Sequence, residues 1–463
     1  MYKRRILGRA GAGKTTRLIS EVDRLLQSGY SAEEIAYVSF TKAAASEAKH
    51  RLNREMPYVG TIHSLCFTSL GLQPSLVMDD KDFEEVGREM GIDLSKHLGE
   101  QTRGSHLLSM IEYAEAKNMP LKAAYNERAQ DVRWEELKAL AEAIDRFKAK
   151  CNKITFSDML KLFCRRGKPL PIRAMIVDEA QDLSPLQWQT VELMAQDVEV
   201  LIVAGDDLQA LYEFAGAEPK RFIEFPGHHE VLPVSYRLPA KVFRLSERVA
   251  DRIQLKSEED WTSRAEEGTV SWLSRPGNID LSHGEWLLLA RNHMLLKQYV
   301  DECRDQGVLY EYQGTRSVPL KHAWAIDDYL KLQRGEEVRN PKALASLLGK
   351  PEVSIATAST WNVDNEPWWT RLQLCPDTLR YYRRVSETTD LTSDPNVRIM
   401  SFHASKGREA DNVVVCSDMT TRCYDTLVSR NSDAEHRAFY VGVTRAKQNL
   451  LIQRPQSIRS YGW

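Results

Sequence analysis

No Cys-x-x-Cys pair occurs in this sequence, whose seven cysteines are scattered along the chain. Zinc and iron–sulfur centres need thiolates at matched spacing, so no such site is expected and the cysteines read as reduced thiols. Long apolar runs are missing as well, and none approaches the ~20 residues needed to span a bilayer. The first residues, Met1-Tyr2-Lys3-Arg4-Arg5, are basic, but no apolar stretch follows as it would in a secretory signal. These absences predict a cytoplasmic or nuclear protein with no membrane partner. Charge of one sign is also lacking: 63 Lys and Arg face 65 Asp and Glu, for a formal net charge of -2. A uniformly basic coat for nucleic acid and an acidic disordered tail are thereby excluded. A local basic groove is not, because a steering field depends on where charges sit. Short-period repeats and low-complexity segments are absent too.

What is present is an ordinary globular composition, 42% hydrophobic and 28% charged over 463 residues, with a length that suggests about three domains. Short apolar runs recur, each ending in a polar or glycine-rich turn. Arg5-Ile6-Leu7 leads into GRAGAGKTT, residues 35–40 into TKAAASEAKHRL, Met175-Ile176-Val177 into DEAQD and residues 198–204 into GDDLQ. A second set follows at 286–290, 397–401, 413–416 and 450–452. Continuous apolar runs of this kind suit parallel strands buried on both faces by crossover helices, so two α/β cores are predicted. Two stretches differ in character. Residues 73–150 are charged and helical in pattern, with Trp134, Leu137, Ala141, Ile144 and Phe147 at helical spacing. Residues 315–395 are irregular to helical.

Gly8 through Thr15 fits G-x-x-x-x-G-K-[ST], between a strand and a helical stretch. Glycines let the backbone curl so that several N–H groups point at a phosphate. Lys14 would reach the β- and γ-phosphates and the Thr15 hydroxyl would bind Mg²⁺. The strand Ile176-Val177 delivers Asp178 towards the same metal, with Glu179 one residue on, where a carboxylate can polarise water.

With these residues in view, the sequence resembles superfamily 1 DNA helicases of the UvrD/Rep/PcrA type. GRAGAGKTT is similar to motif I, VSFTKAAASEAKHRL to Ia, GTIHSL to Ic, VDEAQDLSP to II, GDDLQALYEFAGA to III, SYRLP to IV, SFHASKGREADNVVV to V and YVGVTRAKQNL to VI. The resemblance implies an α/β protein of two RecA-like P-loop domains with parallel sheets, each carrying a mostly helical insert. The implied division is 1–72 and 151–240 for the first core, interrupted by insert 73–150. For the second core it is 241–314 and 396–463, interrupted by a reduced insert at 315–395.

It further implies ATP and Mg²⁺ as ligands. Gly8, Gly11, Gly13, Lys14, Thr15 and Thr16 would hold the phosphates, Tyr236 would stack on the base and Glu409 would face the ribose. Thr15 and Asp178 would bind the metal, and Gln209 would report the γ-phosphate. Arg237 and Arg445 would reach that phosphate from the second core, although Arg237 lies at the 1A boundary. Single-stranded DNA and its junctions with duplex are the implied partner, contacted by Phe40, Thr41, Thr61, His63, Tyr212, Phe214 and His403. The implied activity is ATP-driven 3′-to-5′ translocation and unwinding at a cleft between the cores. A translocase that strips proteins from single strands, or an ATP-switched DNA-binding mediator, are the alternatives. Two departures stand out: Phe214-Ala215-Gly216 replaces the family's usual Trp-Arg-Gly, and few residues precede Gly8 where a Gln-containing segment usually reads adenine. The Trp368-Trp369 pair inside the second insert reads as packing or a partner surface.

Overall fold

The computed structural model describes residues 1–94, 102–128, 132–352, 354–359, 361, 363, 365–429 and 431–463. The chain divides into two compact units. The first comprises Met1–Leu238, Glu247–Ala265 and Arg430–Tyr440, and the second Pro239–Ser246, Glu266–Ser429 and Val441–Trp463. The units are interleaved more than the sequence suggests: residues 247–265 and 430–440, expected in the second core, count with the first.

In the first unit six strands form one sheet: β1 (Tyr2–Gly8), β2 (Ile35–Ser39), β3 (Val59–Thr61), β4 (Ala174–Val177), β5 (Val200–Gly205) and β6 (His228–Leu232). Their order is β3-β2-β4-β5-β1-β6, and every pairing is parallel. Inner strands β2, β4 and β5 are almost wholly apolar because both faces are covered, whereas β1 also buries Arg4 and Arg5. Ile35, Tyr37, Ile176, Ile202 and Ala204 enter one core, while Ala36, Val38, Met175, Val177, Leu201 and Val203 enter the other. This alternation is the two-residue period of the pleat.

The insert folds as helices Asp80–Met90, Arg103–Ala116, Leu121–Arg128 and Trp134–Cys151 around a core of their own. On the last helix Leu137, Leu140, Ile144 and Phe147 are buried, whereas Trp134 and Ala141 only flank that core. The apolar stripe is thus rotated slightly from the one predicted, and Leu140 belongs to it.

The second unit holds β7 (Thr269–Leu273), β8 (Trp286–Ala290), β9 (Tyr310–Tyr312), β10 (Thr315–Arg316), β11 (Val397–Ser401), β12 (Ala410–Cys416) and β13 (Ala446–Gln453), ordered β10-β9-β11-β8-β12-β13-β7. All pairings are parallel except the β9–β10 hairpin. Among the described residues, the stretch 315–395 supplies β10 and five helices between Leu320 and Ser386. Those helices share one core with the sheet: Tyr329, Leu344, Trp368 and Tyr381 pack in the same cluster as Leu288, Val397 and Ile399. Trp368 is therefore core, and the Arg383 guanidinium lies 4.6 Å from the Trp369 ring centroid. Among the described residues no helix is long and apolar enough to cross a membrane.

Truncating a fully buried insert residue opens a cavity, so Leu140→Ala should destabilise the chain by about 2–5 kcal/mol in urea titrations. Lys138→Ala, on the exposed side of the same helix, should change stability by no more than about 0.5 kcal/mol.

Candidate active site

Strands β4, β5 and β1 are neighbours and run the same way, so their C-terminal ends open onto one edge of the sheet. Residues leaving these ends form the candidate site. From β1 the chain turns through Gly11 and Gly13, both at positive φ (74° and 78°), into the helix Lys14–Gln27. Gly13 is the helix N-cap in the left-handed region and offers no side-chain cap, so the first-turn N–H groups face outward, ready for an anion. Gly11 has a second constraint, since a Cβ there would collide with Arg237. A Cβ on Gly8 would come within 2.8 Å of the Lys14 stem. Lys14 Nζ donates to the Gly8 carbonyl at 2.7 Å, which holds the ammonium over the loop. The exposed Thr16 hydroxyl accepts from Arg51 at 2.7 Å.

At the end of β4, Asp178 is buried and its Oδ2 accepts the Tyr37 hydroxyl at 3.0 Å. Burial, then the neighbouring Glu179 charge, raises the Asp178 carboxyl above the ordinary carboxylate range, while Lys14 and the Tyr37 hydrogen bond pull against that rise. Glu179 sits at φ 56°, an unusual backbone for a non-glycine residue. Its N–H donates to Asp178 Oδ1 at 2.9 Å, and its Oε2 accepts from Gln181 Nε2 at 2.6 Å. Gln181 also accepts the Asp206 N–H at 3.1 Å, tying the end of β4 to that of β5. A Cβ at Gly205 would strike this amide. Beyond β5, the buried Gln209 donates to Asp206. Burial, and next the Asp206 charge, pushes Asp207 up to about 6 against the opposing Ser257 N–H.

The chain returns to the P-loop through Ser235 and Tyr236. Ser235 Oγ donates to Ala10 O at 2.7 Å, and Tyr236 N–H to Gly11 O at 2.9 Å. The Tyr236 ring is 71% exposed and lies 4.0 Å from where a Gly13 Cβ would be. An aromatic face beside the phosphate loop is what a stacked base requires. Arg237, expected from the second core, counts instead with the first unit, because this same backbone pairing presses it against Gly11.

Beside this edge lies an aromatic row. Phe40 and Tyr212 are 5.0 Å apart between ring centroids, Tyr212 and Phe214 6.1 Å, and Phe214 is 56% exposed. Thr41 and Thr61 both cap helices, accepting from Ala44 N and Ser64 N. His63 packs edge-on to Phe156 at 5.6 Å, and both line a cavity of about 1120 Å³ between the insert and the helices Ile62–Ser69 and Phe156–Arg166. Burial lowers His63 to about 4, leaving the ring neutral near pH 7. Sequence reasoning passed over Phe156, an exposed ring at the first position of the helix Phe156–Arg166; the one signal available was an apolar residue directly after the Thr155 cap.

His403, Glu409 and Arg445 belong to the second unit. The half-buried His403 is lowered to about 3 by burial, with Arg291, His293 and Lys406 adding to the effect. Glu409 is exposed at the rim of a small cavity of about 270 Å³, beside Arg398 and Arg408. Arg445 is buried and donates to the carbonyls of Val441 and Arg408 and to the Thr444 hydroxyl.

Comparison with known proteins adds an independent line. Residues 3–230 match the family described as the UvrD/REP helicase N-terminal domain, and residues 377–457 that of the UvrD-like helicase C-terminal domain. The chain is similar to ATP-dependent DNA helicase UvrD2 of Mycobacterium tuberculosis, 24% identical over 96% of this chain and 76% of the relative. It is also similar to Rep of Escherichia coli, 26% identical over 52% of this chain and 40% of that relative. DNA helicase II of Escherichia coli is 24% identical over 51% and 36%.

The lowered His63 carries a sign. Its folded pKa lies below the unfolded imidazole value, so its stabilising contribution is complete above about pH 6.5 and fades as pH falls towards about 4. His63→Gln should therefore lose less thermal stability than the parent between about pH 7 and pH 5, read by differential scanning calorimetry. An unchanged pH slope would refute the burial of a neutral ring.

Proposed function

Because this chain belongs to the UvrD/Rep helicase family, we propose that it is an ATP-dependent DNA motor, which translocates 3′-to-5′ on single strands and unwinds duplex. The reading is carried by one observation: the phosphate loop after β1, Asp178 and Glu179 after β4, and Gln209 after β5 all leave one edge of a single parallel sheet.

In this proposal Gly8, Gly11 and Gly13 shape the loop, and Lys14 answers the β- and γ-phosphates with Thr15 and Thr16 beside it. Tyr236 stacks on the base, and Glu409 is assigned to the ribose. The donors also suit Mg²⁺, which is ordinarily held by one or two carboxylates plus substrate phosphates. Asp178 is a carboxylate whose charge is disfavoured by burial and by Glu179, and Thr15 is the second residue of the adjoining helix. Bound Mg²⁺ would neutralise phosphate charge there. Glu179, its carboxylate steadied by Gln181, orients the attacking water, and Gln209 senses the terminal phosphate. Arg237 and Arg445 are assigned to offset charge developing on the transferred group.

Single-stranded DNA needs stacking faces and phosphate contacts rather than base reading. Phe40, Tyr212 and Phe214 offer the faces, and Thr41, Thr61, His63 and His403 the polar contacts. A second reading, a translocase that displaces bound proteins and unwinds little, draws on the second insert, whose helices are absorbed into the core of their own sheet.

Lys14→Ala should abolish ATP hydrolysis stimulated by single-stranded DNA while circular dichroism stays unchanged. Turnover at the parent rate would overturn the phosphate-loop assignment. Strand displacement on duplexes with 3′ or 5′ tails tests polarity, and unwinding only from a 5′ tail would reverse it. Streptavidin removal without unwinding, from the same oligonucleotides, would favour the second reading.

A further inference from the structure

Arg437 is among the largest fully buried side chains of the protein, yet nothing in the nucleotide site as described uses it. It lies on the helix Asp433–Val443, in the portion that counts with the first unit. Three hydrogen bonds divide its planar fork. Nε donates to the carbonyl of Asp207 at 3.0 Å, Nη1 to the Glu213 carboxylate, and Nη2 to the Leu255 carbonyl at 2.6 Å. The surroundings are tied down as well. Asp433, one turn earlier, accepts the N–H groups of Gln254 and Leu255, each at 2.9 Å, and Asp207 accepts that of Ser257.

The two gripped residues are not arbitrary points. Asp207 opens the short turn Asp207–Gln209, which carries the γ-phosphate sensor. Glu213 stands between Tyr212 and Phe214, the rings assigned to DNA, and opens the next turn. One guanidinium thus spans a loop whose near end carries Gln209 and whose far end carries Tyr212 and Phe214. From the other side Arg128 of the insert donates to the carbonyls of Phe214 and Glu213, at 2.6 and 3.4 Å. Lysine, a point charge on a flexible stem, cannot fill three directed acceptors in one plane.

We propose that Arg437 is a positioning residue that couples DNA occupancy at Tyr212 and Phe214 to hydrolysis at Gln209, by holding both turns of the Asp207–Ala215 segment in one register. A base that shifts either ring displaces Glu213, and the shared guanidinium carries that displacement to the Asp207 carbonyl two residues before Gln209. Coupling of this kind is a free energy between two sites acting through one element. Without the fork the segment can answer DNA at one end and ATP at the other, but not together.

The inference rests on the proposed motor activity, so the parent is measured first. A parent without DNA-stimulated hydrolysis would overturn that activity, and the coupling with it. Given a stimulated parent, ATPase assays with and without single-stranded DNA on Arg437→Lys and Glu213→Gln test the coupling alone. For both variants basal turnover and KM for ATP should stay within about twofold of the parent, while stimulated kcat falls about tenfold. The double variant should lose little more than either single one, since both break the same link. Glu213 is partly exposed, so its variant guards against a folding defect from the buried arginine. Full stimulation in Glu213→Gln, or equal loss of basal and stimulated rates in both variants, would overturn the proposal.

Discussion

Parallel pairing of β4, β5 and β1, with both faces of the sheet covered, is the constraint on which the chemistry depends. Parallel neighbours can be joined only by crossovers, so each strand releases its chain at the same edge. Strands lie about 4.8 Å apart, so the phosphate loop, Asp178 and Asp206 leave the sheet within about 10 Å of one another. No single segment brings them together; the register Leu7↔Gly205 and Val177↔Val203 does. Ligand sites at the carboxyl edge of such sheets follow from this geometry alone.

The same burial makes that edge electrostatically demanding. Asp178 and Asp207 are almost wholly removed from water, and each has an acidic neighbour. Their charge is steadied by directed groups: the Tyr37 hydroxyl and the Lys14 ammonium near Asp178, the Ser257 N–H at Asp207. Gln181, wholly buried, uses its amide at both ends to lock Glu179 and Asp206 relative to each other. Glycine at 205 leaves the room that this lock occupies.

Some elements were legible before any coordinates and others were not, and the reason is burial. The inner strands β2, β4 and β5 announce themselves because both faces are apolar. By contrast β3, β6, β7 and β10 lie at sheet edges; β6, β7 and β10 expose side chains and β3 is only three residues long, so no hydrophobic run marks them. The last helix of the first insert was readable, though its buried stripe includes Leu140 and only borders Trp134. The second insert was readable as helical but not as part of its sheet's core, since a period reveals a face and not what covers it. The resemblance of motifs III and IV pointed to Gln209, Tyr212 and Tyr236. It could not reveal that Arg237 packs on Gly11, or that Phe156 stands beside His63.

The sequence by itself determined that two α/β cores are present, that one carries a phosphate loop with its acidic partner strand, and which helicase family the motifs resemble. Those properties are local: a glycine turn, a lysine and an apolar run ending in Asp-Glu act through neighbours in the chain. Only the tertiary structure decided which strand ends are adjacent, which carboxylates are stripped of water, and that Arg437 joins Asp207 to Glu213 across more than two hundred residues. Such contacts depend on packing between segments far apart in the chain, and no spacing along the chain encodes them.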